Sequence, residues 1–151
     1  RFCQGIGKDF INLLENTNMS KVYKMPVLMA FYNHGNVRME VSEAELLASW
    51  KEFFSTGTNW KDLEKEITYE EYRKISDKNH IQKIMKMPVH FLLKSGEEFF
   101  VKKDGAALAL RDEMEEIVKE PVLAEQMKDV IEYRAMDYYR RRYKEKIKAL
   151  L

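Results

Sequence analysis

Val37-Arg38-Met39-Glu40-Val41-Ser42-Glu43-Ala44-Glu45-Leu46-Leu47-Ala48-Ser49-Trp50-Lys51-Glu52-Phe53-Phe54 changes its hydrophobic period partway along. Val37, Met39 and Val41 alternate with Arg38 and Glu40, the two-residue period of a strand with one buried face. From Leu46 the apolar residues fall at Leu46, Leu47, Trp50, Phe53 and Phe54, the spacing of an amphipathic helix. Ser42 and Glu45 sit between the two patterns as a capping box. The serine hydroxyl can accept the Glu45 N–H while the glutamate reaches back to the Ser42 N–H. A strand over 37–41 running into a helix over 42–54 is therefore expected.

The flanks are mostly helical. Phe10, Ile11, Leu13 and Leu14 give one apolar face to a short first helix, and a second is expected near Tyr23 to Tyr32. Thr68 and Glu71 repeat the capping logic before another helix. Ser55 to Lys65 reads as loop. Glu98 to Lys102 and Ala107 to Leu110 flank Asp104-Gly105, a pair that favours a tight hairpin. Alanine and leucine also allow a competing helix over Ala106 to Val118. Pro121 suits a helical first turn, and a long helix runs from there toward the C-terminus.

Lys24-Met25-Pro26-Val27 recurs as Lys86-Met87-Pro88-Val89. Each copy precedes an apolar stretch and then a glycine-bearing turn. Proline fixes φ and lacks an N–H, so it starts or kinks a helix. That structural reading is preferred to a duplicated anion site on Lys24 and Lys86.

Helix, strand 37–41, helix 42–54, further helix and a hairpin at 98–110 is the order of a winged-helix domain. The expected fold is mainly α with a small β-hairpin. A winged-helix-like core covers 1–120, and a C-terminal helix covers 121–151, within one domain. The 55–80 stretch is longer than a minimal winged helix needs.

Charge is nearly balanced, with 26 basic against 25 acidic residues, which excludes a uniformly basic nucleic-acid coat. Cys3 is the only cysteine, so no intrachain disulfide forms, and a reducing cytoplasmic setting is expected. No apolar run reaches the length of a membrane span. The chain begins with Arg1 rather than Met and reads as a piece of something larger.

No catalytic constellation stands out. Gly5-Ile6-Gly7-Lys8 is followed by Asp9 where a phosphate loop needs Ser or Thr, so that reading is rejected. His34, His80 and His90 lack partners at metal-ligand spacing. His34 reads as a turn residue and His90 as a hydrogen-bonded core residue. No metal, cofactor or catalytic residue is expected. The strongest local signal is Tyr138 to Lys148, with six basic residues against one acidic and three tyrosines. Arg140, Arg141, Arg142 and Lys144 are the candidate phosphate contacts, with Lys102 and Lys103 at the hairpin tip assisting. Core packing of Tyr139 and Tyr143 is preferred to base stacking.

Gly7 to Phe10, Tyr23 to Tyr32, Pro88 to Leu92 and Tyr138 to Tyr143 together resemble a C-terminal region of large bacterial superfamily II DEAD/DEAH-box helicases. Some of these are similar to restriction or phage-defence proteins with a phospholipase-D-like nuclease ahead of the motor. The resemblance covers most of the chain, but its motifs are structural. The motor motifs and the nuclease His-x-Lys pattern are absent, so no catalytic residue is carried over. The resemblance implies a non-catalytic accessory domain of a larger ATP-dependent helicase, contributing to nucleic-acid binding, with DNA favoured over RNA. One rival is a protein–protein docking module with an exposed tyrosine and methionine patch. Another is an enzyme whose pocket gathers His34, His90 or the acidic residues.

Overall fold

The computed structural model describes residues 5–150, with side chains through residue 142. The period change at Ser42 is built as expected. Ser42 Oγ accepts the Glu45 N–H at 3.1 Å, and Glu45 Oε1 accepts the Ser42 N–H at 3.0 Å. That backbone bond, helped by Arg38, holds the Glu45 carboxyl below its ordinary pKa. Helix α3 follows over Glu43–Ser55, with Leu46, Trp50 and Phe54 buried along its inner face.

Ahead of it lie α1, Ile6–Asn16, and α2, Lys24–Met29. The expected strand over 37–41 is broken in two. Strands β1, Tyr32–Asn33, and β2, Asn36–Val37, form a hairpin of their own, in the register Tyr32 to Val37. Its two-residue turn puts His34 at φ 48° and Gly35 at φ 86°, the left-handed pair that matches strand twist. β3, Glu40–Val41, joins a different sheet. Arg38 explains the break. Its N–H donates to Phe31 O at 2.7 Å, and its guanidinium reaches Ala30 O at 2.8 Å and Glu45 at 2.9 Å. Its backbone thus extends the β1–β2 pairing to Phe31, while its side chain satisfies the Ala30 carbonyl at the α2 C-terminus, which a helix end otherwise leaves orphaned.

Short helices α4, Tyr69–Arg73, and α5, Asp77–Ile84, follow the irregular segment. The Thr68–Glu71 capping box is formed. A π-helical turn over Met85–Val89 then links α5 to α6, His90–Ser95. The two Lys-Met-Pro-Val copies therefore do different things. Pro26 lies in the first turn of α2, where its missing N–H costs nothing. Pro88 lies inside a continuous helical run and widens it. Lys24 is buried and donates to Thr17 Oγ1 and Asn18 O, whereas Lys86 is exposed.

β4, Phe100–Val101, and β5, Leu108–Leu110, form the hairpin around Asp104-Gly105, so the competing helix over 106–118 does not form. Only two 3-10 turns, at Asp112–Met114 and Ile117–Lys119, occupy the later part of that stretch. The second sheet has the antiparallel order β3-β5-β4. All three residues of central β5 are buried. Phe10 packs on Phe99 at 5.4 Å, and Phe31 on Phe100 at 5.8 Å.

Helix α7, Pro121–Leu150, begins on its proline and spans 30 residues, about 45 Å. Leu123, Ala124, Met127 and Ile131 are buried against α1, α2 and the β1–β2 hairpin. Arg134 then donates to Leu14 O at 3.0 Å and Thr17 O at 2.7 Å, capping α1 from 120 residues away. The protein is thus mainly helical, with two small antiparallel sheets and a long C-terminal helix.

Trp50 is fully buried, and its indole N–H donates to His80 Nδ1 at 3.1 Å. Burial pushes the His80 pKa below its ordinary 6.5; Lys51 and Lys83 add to the shift and Asp77 opposes it. The unfolded chain therefore binds the extra proton between the two pKa values. Stability is complete above about pH 6.5 and is lost as pH falls through that value toward the folded pKa. Thermal midpoints measured from pH 7 to 5 should fall, with a slope no steeper than about 1.4 kcal/mol per pH unit from this group. His80→Gln keeps an acceptor for Trp50 and should flatten that slope. An unchanged slope would show that His80 is not the titrating group.

Candidate nucleic-acid interface

Asp62 ends a short 3-10 turn, Asn59–Asp62, within the segment expected to be loop. Its side chain is only 4% exposed. A buried carboxylate needs donors on every lone pair it keeps, and these come from distant elements. The Val22 N–H bonds Oδ2 at 3.2 Å. Tyr138 Oη bonds Oδ1 at 2.7 Å, and Arg142 approaches the same oxygen through Nε at 3.2 Å and Nη2 at 3.0 Å. Arg142 Nε also donates to Tyr138 Oη at 2.9 Å. Burial, and then Asp62, push the Tyr138 phenol well above its ordinary pKa. Burial and Asp62 likewise push Tyr23 to about 12; its hydroxyl donates to Leu63 O at 2.6 Å. Burial works against the Arg142 charge, yet Tyr138 and Asp62 together hold its pKa above the usual value.

This network sorts the arginines of α7. Arg142 is tied to the protein interior through Asp62. Arg140 and Arg141 project outward with side chains 64% and 77% exposed. They share one largely buried carboxylate, Asp137, at 2.7 and 2.9 Å. Two cations against one anion leave a net positive charge on that turn. The side chain of Lys144 lies outside the described residues, as do those of Tyr143, Lys146 and Lys148, and Cys3 lies outside them as well. Lys102 and Lys103 are exposed at the end of the β4–β5 hairpin, where Lys103 pairs with Glu40 at 3.1 Å. That hydrogen bond raises the Lys103 pKa. Arg140 and Arg141 are thus brought together, while the hairpin lysines stand on a separate support.

The two described tyrosines pack rather than project. Tyr138 serves Asp62, and Tyr139 donates to Asn59 O at 2.9 Å with its ring 6.3 Å from Phe53. His34 sits in the β1–β2 turn as expected. His90 does not lie in the core: it is exposed at the start of α6, and His80 is the buried histidine. The apolar residues beside His90 misled because the helix turns them inward and His90 outward. Among the described residues no group of His, Cys, Asp or Glu is arranged to hold a metal ion.

Sequence reasoning missed Asp62 and Arg134, the two residues that place α7. Neither carries a local signal, since their partners lie 40 to 120 positions away. A second surface adjoins the arginine turn. Tyr133 and Met136 are 59% and 63% exposed beside a groove of about 1030 Å3 between α3, the β1–β2 hairpin and α7.

No family model, no curated protein and no solved structure matches this chain. Among the described residues no helix is long and apolar enough to cross a membrane.

Removing Asp62 strands three donors, one of them on a cation, whereas Arg142 can turn to water. Asp62→Ala should cost about 2–4 kcal/mol in urea unfolding, and Arg142→Ala about 1 kcal/mol. Equal losses would show that Arg142, not the carboxylate, organises the network.

Proposed function

We propose that this chain is a non-catalytic accessory domain of a larger DEAD/DEAH-box helicase, working in the cytoplasm and contributing to nucleic-acid binding, with DNA favoured over RNA. The observation that carries the reading is the Arg140–Arg141 pair. Two guanidiniums, exposed and adjacent, stand on a helix whose position Asp62, Tyr138 and Arg142 hold. A guanidinium donates two parallel hydrogen bonds to phosphate oxygens, and a fixed base lowers the entropy lost on contact. Asp137 keeps the pair oriented without neutralising it. Arg142 then acts by positioning the helix.

The strand order β3-β5-β4, with α3 to α6 inserted between β3 and β4, supports a winged-helix-like reading of the core. On that reading the β4–β5 turn is the wing, and Lys102 and Lys103 touch a backbone phosphate. The resemblance of Tyr23 to Tyr32 and Tyr138 to Tyr143 is what supports a helicase as the parent protein.

A second reading, docking of another protein, draws on the exposed Tyr133 and Met136. It predicts binding that is indifferent to salt and sensitive to Met136→Glu.

The two readings separate in a salt series with labelled single- and double-stranded DNA. Wild-type affinity should fall steeply with salt. Arg140→Ala/Arg141→Ala should weaken binding and reduce the log–log slope by about 1.4 to 1.8, two phosphate contacts. A folded wild-type chain that binds no DNA at low salt would sink the nucleic-acid reading.

A further inference from the structure

The helical run from α5 through the π turn to α6 has an unusual charge pattern. Between Lys78 and Lys94 the chain carries four lysines and no Asp or Glu, in a protein whose charges otherwise balance. Lys83 is used internally: its ammonium donates to Leu63 O at 2.9 Å and lies 5.3 Å from the Tyr23 ring centre. Lys78, Lys86 and Lys94 are exposed, and none has a carboxylate partner among the described residues. They differ in this from Arg140, Arg141 and Lys103, each already paired with an acid.

The π turn brings these lysines toward one face. Lys78, Gln82, Lys86, His90 and Lys94 are four residues apart and all exposed. In an unbroken α-helix such a stripe drifts by roughly 160° over its length, nearly half the circumference. Pro88 has no N–H to give the Ile84 carbonyl, and its ring crowds that oxygen. The turn opens to accommodate one extra residue, which takes back roughly 100° of the drift. The inner face shows the same shift, because Pro88 and Val89 are both buried in succession. Beside the stripe, Met87 and Phe91 are 37% and 47% exposed, so an aromatic ring stands in solvent next to the cations.

We propose that this face binds a single nucleic-acid strand, with Lys78, Lys86 and Lys94 on its phosphates and Phe91 stacked against a base. The proposal rests on the nucleic-acid reading and gives it a second, distinct surface. A line of cations without counter-charge suits a phosphate backbone, and stacking on an exposed aromatic ring uses the face of an unpaired base. A duplex hides its base faces, so the strand must be single.

The test is fluorescence anisotropy of the whole chain with a labelled thymidine 20-mer, a duplex of equal length, and phosphatidylserine vesicles, over a salt series. The substituted side chains are exposed, and circular dichroism of each variant checks that its helices are kept. Lys86→Ala/Lys94→Ala should weaken binding of the single strand and reduce the salt slope by about 1.4, two contacts at roughly 0.7 each. Phe91→Ala should lower affinity about five- to 100-fold with the slope unchanged. If the lysine variant binds the strand as wild type does while Arg140→Ala/Arg141→Ala does not, this face is wrong and the α7 reading stands. If wild type binds neither oligonucleotide, both fall. Binding to the vesicles in place of the strand would also overturn the proposal and reassign the face to anionic lipid.

Discussion

A single carboxylate holds the far ends of the architecture together. Asp62 lies out of water, and no residue in its own turn can satisfy it. The turn ahead of α2 supplies the Val22 N–H, and the distal part of α7 supplies Tyr138 and Arg142. The 55–65 segment is thereby stapled between two helices, although its composition is that of a loop. Together with the Arg134 cap and the Tyr139 bond to Asn59 O, this staple orients the outward residues on that part of α7. The cost of burying the charge is met by four hydrogen bonds of 2.7 to 3.2 Å from three groups, one of them cationic, which is the condition under which a buried carboxylate is tolerated.

The same device recurs with the signs exchanged. Arg38, Lys24 and Arg134 all donate to main-chain carbonyls at or beyond helix ends. Short helices leave many orphan carbonyls for few internal bonds. In a protein assembled from helices of five to 13 residues plus one long one, such side-chain caps carry a large share of the ordering. Charge balance in this chain thus reflects internal use of cations as well as solvation, which makes a run of cations with no internal task more informative.

The local grammar of the chain was readable. Both capping boxes, the Asp-Gly hairpin, the proline start of α7 and the inner stripe of α3 depend on residues within eight positions of one another, so spacing alone reveals them. What was hidden depended on distance. Val37 to Val41 alternates like one strand, yet Arg38 still pairs with Phe31 of the first hairpin while Glu40 and Val41 pair with β5, and alternation cannot show that change of partner. Arg142 looked like the rest of its basic run because Asp62 lies 80 residues away. The identical Lys-Met-Pro-Val copies adopted different roles because one stands at a helix start and the other has a formed helix behind it. Composition could not separate them.

The cap that Arg134 places on α1 also bears on the order in which the chain is made. Leu14 and Thr17 leave the ribosome 117 to 120 residues before the guanidinium that bonds their carbonyls. At about 5–20 residues per second, α1 waits roughly 6–24 s for its cap and for the buried face of α7 that packs against it. Within this chain, the partners that α1 meets during that interval are the hairpins and short helices, where Phe99 and Phe100 pack on Phe10. Helix α1 is therefore completed late relative to its own synthesis, and its capping coincides with arrival of α7.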